Sequence, residues 1–297
     1  MRGWTRGRGL LVLPAVLVLL AFTVLPLCIM AYVSVLERGT YGGVEWGRHT
    51  LDAYVAFLFE RDLDDSLVLN PDYLKIFARS FGLAAFTTAL CLTIGLPTAL
   101  YMATRAPKRR NLLVFLVTIP FWTNLLVRTY AWILLLRNNG LIDKGLHDLG
   151  LASGPLDLLY TPFAIMIGLT YTFLPFMVLP VYASLEKLDW RLVEAAMDLG
   201  ATRVTAFRRV VLPLSLPGVV AGMVLVFVPC LGAYVAPELL GGAKVLMIGN
   251  LIQSQFGAAR NWPFGAALAF ALLAIVLLAM AFYALRFGAA PGEEKGR

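Results

Sequence analysis

The chain has 297 residues, 60% apolar and 14% charged, with a mean hydropathy of +0.78. Ordinary soluble domains are near half apolar and a quarter charged, so that class is excluded. The net charge of +7 suits either nucleic acid or a membrane, and the placement of the charges decides between them.

Five stretches carry no charged residue: 9–36, 80–104, 158–185, 210–237 and 261–285. Each exceeds the roughly 20 residues that a bilayer-spanning helix needs. A sixth, 111–136, is as apolar and carries one charge, Arg128. The expected architecture is an all-α polytopic membrane protein, with residues 1–297 forming a single domain of six transmembrane helices.

The first span follows Arg2, Arg6 and Arg8, as a signal peptide would. Its apolar run of 28 residues is long against the roughly 7 to 15 of a signal core, so it is read as a retained helix. The next connection, 37–79, holds eight acids (Glu37, Glu45, Asp52, Glu60, Asp62, Asp64, Asp65 and Asp72), with a short helix expected near 50–58. Asn70 and Pro71 mark the start of the second helix, outside the membrane, which it enters near Arg79. Residues 105–110 form a tight basic hairpin to the third span. Counting along a straight helix from Asn111 places Arg128 roughly 26 Å on, near the outer edge of a core about 30 Å thick.

Proline recurs in the later spans, at 120, 162, 175, 180, 213, 217, 229 and 263. Each removes a backbone hydrogen bond that hydrocarbon cannot replace, which suits kinked helices lining a pathway or kinks used in packing. Gly218 and Gly222 form a G-x-x-x-G pattern that suggests a close helix contact.

Orientation follows from the basic residues, which accumulate on the cytoplasmic side. With the N-terminus inside, segments 1–8, 105–110, 186–209 and 286–297 hold 15 of the 25 basic residues and 6 of the 18 acids. The outer segments hold 9 and 12. Both ends are therefore expected in the cytoplasm, and the basic balance needs no nucleic acid. Cys28, Cys91 and Cys230 fall inside spans, and His49 and His147 in outer loops; neither a disulfide framework, a metal site nor a catalytic cluster is indicated.

Residues 186–209 carry a pattern of their own. Leu188, Leu192, Ala195, Ala196 and Leu199 recur at helical spacing, with Lys187, Arg191, Glu194 and Asp198 on the other side. Gly200 breaks the helix, and Thr202 can cap a second one carrying Phe207 and Val210. The expected result is two short helices with an elbow, whose apolar stripe meets either a partner or the protein's own helix ends.

The string EAAMDLGATRVTAFRRVVLP resembles the EAA loop of permease subunits in binding-protein-dependent ABC importers. Glu194, Ala195, Ala196, Gly200, Leu212 and Pro213 match that pattern over 20 positions, with Val210 in place of isoleucine. The resemblance implies a type I ABC importer permease fold in a bacterial inner membrane. It also implies a coupling elbow (the matched residues with Asp198) that docks on a separate ATPase. The chain has no G-x-x-x-x-G-K phosphate loop, so ATP and Mg would be bound by that partner, and no cofactor by this chain. The implied partners are a second permease, an ATPase homodimer, an extracytoplasmic solute-binding protein and membrane lipid.

The stretches PFWTNLLVRTYAW, LPFMVLPVYASLEKLDW, ELLGGAKVLMIGNLIQSQF and NWPFGAA resemble the spermidine/putrescine importer permeases, specifically the first of their two permease subunits. The resemblance covers roughly 51–285, is dense from 120 onward, and departs in the first 50 residues and at CLGAYVA. A polyamine path needs carboxylates and aromatic faces. Glu238 supplies a carboxylate, and Trp122, Tyr130, Trp132, Tyr171 and Tyr234 supply aromatics, each of which also suits an interfacial anchor. Arg128 would repel a polyamine unless it pairs with Glu238 or caps a helix; free in the pathway, it would suit an anion. Other solutes of the same importer class, such as 4-aminobutyrate, a phosphonate or ferric ion, stay open. A secondary transporter is disfavoured, because the five charge-free spans hold no ionisable residue at midplane.

Overall fold

The computed structural model describes residues 4–61, 67–151, 154, 156–242 and 244–287. In chain order, α1 (Trp4–Ser34) is followed by two antiparallel hairpins, β1 (Leu36–Arg38) with β2 (Val44–His49) and β3 (Phe59–Arg61) with β4 (Leu67–Leu69). The short α2 (Asp52–Val55) lies between them. Next come α3 (Asp72–Ala103), α4 (Pro107–Trp122), α5 (Leu125–Leu136), α6 (Leu141–Asp148) and the long α7 (Pro162–Glu186). The chain continues through α8 (Arg191–Asp198), α9 (Arg203–Ala206) and a π turn (Phe207–Val211) into α10 (Leu212–Gly232). It closes with α11 (Val235–Gly241), α12 (Ile248–Phe256) and α13 (Trp262–Phe287).

Among the described residues, five helices are long and apolar enough to cross a membrane, and α4 with the segment from Leu125 makes a sixth candidate bent by 92°. That bend corrects the expected straight span over 111–136. Pro120 has no N–H to continue the ladder. The Thr123 hydroxyl donates back to the Pro120 carbonyl at 3.0 Å, and the Asn124 side chain caps α5 by accepting from Leu126 N at 2.8 Å. One helix stops and another starts within two residues, so the straight-helix depth given to Arg128 no longer applies. The span expected over 210–237 is also shorter. Its helix ends at Gly232, and Ala233 is extended, because the Pro237 ring would clash with the residue 233 carbonyl in a continuous helix.

The chain divides into two compact units, Met1–Leu74 with Leu251–Arg297, and Lys75–Asn250. In the first, α13 packs along α1 and against α2 and β1. The side chains of α1 from Leu13 to Ile29 are nearly all exposed and apolar, as a lipid-facing helix requires. The expected short helix at 50–58 is α2, and the hairpins around it were not anticipated, although the Gly42-Gly43 pair, both with positive φ, is a turn signal. Glu37 and Glu45 lie 3.6 and 3.8 Å from Arg48, which neutralises part of the acidic surface. Asp62, Asp64 and Asp65 lie outside the described residues.

In the second unit, α7 and α10 pack side by side, and the G-x-x-x-G pattern finds its partner there. A Cβ on Gly218 would collide with the Ser184 side chain and the Pro180 carbonyl, and one on Gly222 would lie 2.8 Å from Met177 Sδ. Small residues let the two backbones approach, and association in lipid rests on such van der Waals contact. Met177, Val178, Val181, Leu185, Val219 and Val226 form the buried seam.

Candidate functional site

The elbow forms as its residues dictate. Asp189 Oδ1 accepts from Arg191 N at 3.1 Å at the start of α8. At its end, Gly200 N donates to Met197 O at 2.9 Å and Ala201 N to Ala196 O at 3.0 Å, the paired bonds of a Schellman motif. Gly200 takes φ +87°, where a side chain is strained, so the reversal depends on glycine. Thr202 caps α9 by accepting from Thr205 N at 3.3 Å. Leu212 N then donates to the carbonyl of Phe207, five residues back. This wider turn immediately precedes Pro213, which cannot donate to Arg209.

The apolar stripe read from the sequence is divided between two faces. Leu188, Trp190, Val193 and Phe207 pack against the buried seam of the second unit, whereas Leu192, Ala195 and Leu199 are exposed, Leu199 at 90%. Ala196 is half-buried, and Glu194 and Asp198 are exposed. Glu194 borders a groove of about 360 Å³ with Ala103, Arg105, Trp190, Val193 and Met197. Leu212 is half-buried and Pro213 exposed. One face thus fixes the elbow to its own helices, and the other leaves apolar area uncovered among the described residues.

A second constellation lies where α10 gives way to α11 and α12. Asn250, buried at 2% exposure, donates through Nδ2 to Glu238 Oε2 at 2.7 Å and to the Tyr234 carbonyl at 3.0 Å. The residues around it hold α12 in place: Ile248 N donates to Ser80 Oγ at 2.9 Å, and the Arg79 guanidinium donates to the Leu246 carbonyl. Asn250 was not singled out from the sequence. Its signal is an amide inside the apolar run VLMIGNLI.

Arg128 is not paired with Glu238, so of the two placements weighed from the sequence, an ion pair and a capped helix end, the ion pair does not form. The packing of α5 against α7 and α11 places its guanidinium 6.0 Å from the Tyr171 ring centroid. Its Nε and Nη1 are buried and donate to nothing among the described residues. Trp132 meets the same Tyr171 ring edge-on at 5.9 Å. The sequence candidates therefore sort into an arginine–aromatic group (Arg128, Trp132, Tyr171) and a carboxylate–amide group (Tyr234, Glu238, Asn250). Trp122, 81% exposed at the α4–α5 break, and Tyr130, 55% exposed, have no ring contact with either group.

Several helices are long and apolar enough to cross a membrane, one candidate span is sharply bent, and an amphipathic elbow leaves Leu192, Ala195 and Leu199 exposed. Residues 95–286 match the family of binding-protein-dependent transport system inner membrane components, and the chain belongs to that family. It is 46% identical over 216 residues, 73% of this chain and 76% of the other, to the spermidine/putrescine transport system permease protein PotB of Haemophilus influenzae. With the same-named protein of Escherichia coli it shares 42% over 231 residues, 78% of this chain and 84% of that one. The fold matches a chain in the crystal structure of a bacterial alginate ABC transporter in complex with an alginate-pentasaccharide-bound periplasmic protein. That match has a TM-score of 0.70 at 18% identity and covers 97% of this chain and 96% of the other. The chain is thus a multi-pass inner-membrane permease subunit with an ABC importer permease fold.

Proposed function

We propose that the chain is the first of two permease subunits of an ATP-driven importer of polyamines such as spermidine and putrescine. The observation that carries this reading is the identity of 46% and 42% to two spermidine/putrescine permeases over about three quarters of the chain. The exposed Glu238 carboxylate, tethered beside the start of α12, adds chemical support, because it suits an ammonium group. Both termini lie in the cytoplasm in this reading, as the basic segments favour. The exposed face of α8, with Leu192, Ala195 and Leu199, docks on an ATPase homodimer that binds ATP and Mg. The Gly200 reversal and the π turn before Pro213 connect that docked helix to α10. The Glu238 side faces an extracytoplasmic binding protein, and the chain itself holds no cofactor.

Arg128 favours the second reading, the same machine carrying an anion or zwitterion such as a phosphonate or 4-aminobutyrate. The experiment that separates the two is a thermal-shift panel on the partner binding protein with spermidine, putrescine, 4-aminobutyrate, phosphonates and ferric ion, followed by uptake of the stabilising solute in proteoliposomes. Stabilisation by spermidine or putrescine is the expected result. Stabilisation by an anion alone overturns the polyamine assignment and makes Arg128 the pathway residue.

A further inference from the structure

Asn250 is a buried amide at the beginning of α12 that spends both Nδ2 protons on one neighbourhood, the Glu238 carboxylate at 2.7 Å and the Tyr234 carbonyl at 3.0 Å. Its backbone is fixed as tightly as its side chain. Ile248 N is held by Ser80 Oγ at 2.9 Å. At Gly249 even a Cβ would come within 2.5 Å of the Ala233 carbonyl and 2.8 Å of the Gly232 carbonyl. The amide is therefore a rigid donor mounted against the end of α10. Glu238 is an exposed side chain with three rotatable bonds, and this donor holds one of its oxygens, Oε2, while Oε1 makes no hydrogen bond among the described residues.

We infer that Asn250 is a positioning residue for solute entry: it holds the Glu238 carboxylate in one orientation, so that Oε1 receives an ammonium group of the incoming polyamine. This rests on the polyamine reading above. A preset carboxylate loses less side-chain freedom when the cation arrives, which is worth roughly three- to tenfold in apparent affinity. A charged acceptor also binds an amide donor more strongly than a neutral one does. Asn250 itself, at 2% exposure, is too enclosed to meet the solute.

The test uses the complete importer in proteoliposomes, with binding protein and ATP, and reads the concentration dependence of spermidine uptake. Asn250→Ala is expected to raise the KM roughly three- to tenfold and leave the maximal rate near wild type. Asn250→Leu, close in volume, removes the donor without a large cavity and gives the same direction of change. The decisive variant is the swapped pair Glu238→Gln with Asn250→Asp, which keeps an amide–carboxylate hydrogen bond but puts the carboxylate at the buried position. With uptake normalised to the complex recovered, it is expected to stay as weak as Glu238→Gln alone. Uptake restored by the swap would reduce the pair to a structural link and overturn the inference, as would an unchanged KM in both Asn250 variants. A wild-type importer that carries another solute and not spermidine would instead bring down the polyamine reading. The same variants assayed on that solute would then show whether Asn250 acts through Glu238 at all.

Discussion

The elbow and the carboxylate–amide cluster belong to one compact unit yet are built in opposite ways. The elbow is local: 24 consecutive residues, 186–209, supply its caps, its reversal and both faces of its helix, and its outer face leaves Leu192, Ala195 and Leu199 exposed. The cluster is assembled from a distance: Asn250 Nδ2 joins Glu238 to the Tyr234 carbonyl, and Ser80 Oγ holds Ile248 N at the start of the same helix. A docking surface must be left open for a partner, whereas a group that greets a small charged solute benefits from being fixed beforehand. The α7–α10 seam is the common support, since α8 follows α7 through a short turn and α11 follows α10 directly.

Removing that support erases the comparison, and this is the largest expected effect. Gly222→Leu drives a branched side chain into Met177, already within 2.8 Å of a Cβ. Such overpacking costs about 1–3 kcal/mol or more. The importer is expected not to assemble, measured as complex recovered by size exclusion, with coupling and uptake lost together. Recovery of normal complex would show that the seam is looser than its geometry implies.

Gly200→Val should break the elbow and spare the cluster. Nothing lies within 4 Å of a Cβ at Gly200, so the penalty comes from the backbone at φ +87°, about 1–3 kcal/mol for a residue that resists this region. ATP hydrolysis stimulated by loaded binding protein is expected to fall more than about tenfold, since 1.4 kcal/mol is a factor of ten, while assembly persists. Gly200→Asn, which tolerates positive φ better, should retain more stimulation than valine. Equal loss in both would point to side-chain size and away from conformation. Glu194→Lys, at an exposed position beside the groove, should weaken stimulation in the same direction and to a smaller degree.

The elbow was legible in the sequence because every signal it uses lies within a few residues: helical spacing of apolar positions, glycine at the reversal, threonine at the cap. What periodicity did not disclose was which part of the stripe faces inward. Leu188 packs and Leu192 does not, and that depends on where α7 ends. The third span was misread for a related reason: 111–136 stays apolar through the break, and hydropathy carries no information about direction. Pro120 followed by Asn124 was the available signal, a stop and a cap four residues apart. The cluster was half legible. Glu238 stood out as an acid abutting a span, but its partner is an amide with no charge to draw notice, brought in by a chain segment that turns back on α10.

Glu238→Gln should break the cluster and spare the elbow, the mirror image of Gly200→Val. Loss of a charged acceptor is worth about 1.5–3 kcal/mol, so the KM for polyamine uptake should rise about tenfold or more, with the maximal rate and basal ATP hydrolysis little changed. Because Arg128 lies over Tyr171 and not against Glu238, adding Arg128→Met to Glu238→Gln should not restore uptake. Restoration would mean that the two charges meet in another state of the importer.

The smallest expected effect sharpens the comparison at a group that fits neither region. Arg128 has two buried nitrogens, Nε and Nη1, without an acceptor among the described residues, each costing about 1–3 kcal/mol of lost hydration. Its contact with Tyr171 at 6.0 Å returns about 0.5–1 kcal/mol. The balance runs against the arginine, and methionine keeps most of the apolar stem. Arg128→Met is therefore expected to raise the unfolding midpoint of the purified chain by an effect on the order of 1 kcal/mol. If the same substitution lowers recovery of the assembled importer, the missing acceptor belongs to a partner subunit and the arginine is an assembly contact left open, as the elbow is. If it lowers the midpoint of the chain alone, the aromatic contact outweighs the two unsatisfied donors, and Arg128 is held in place as firmly as Glu238.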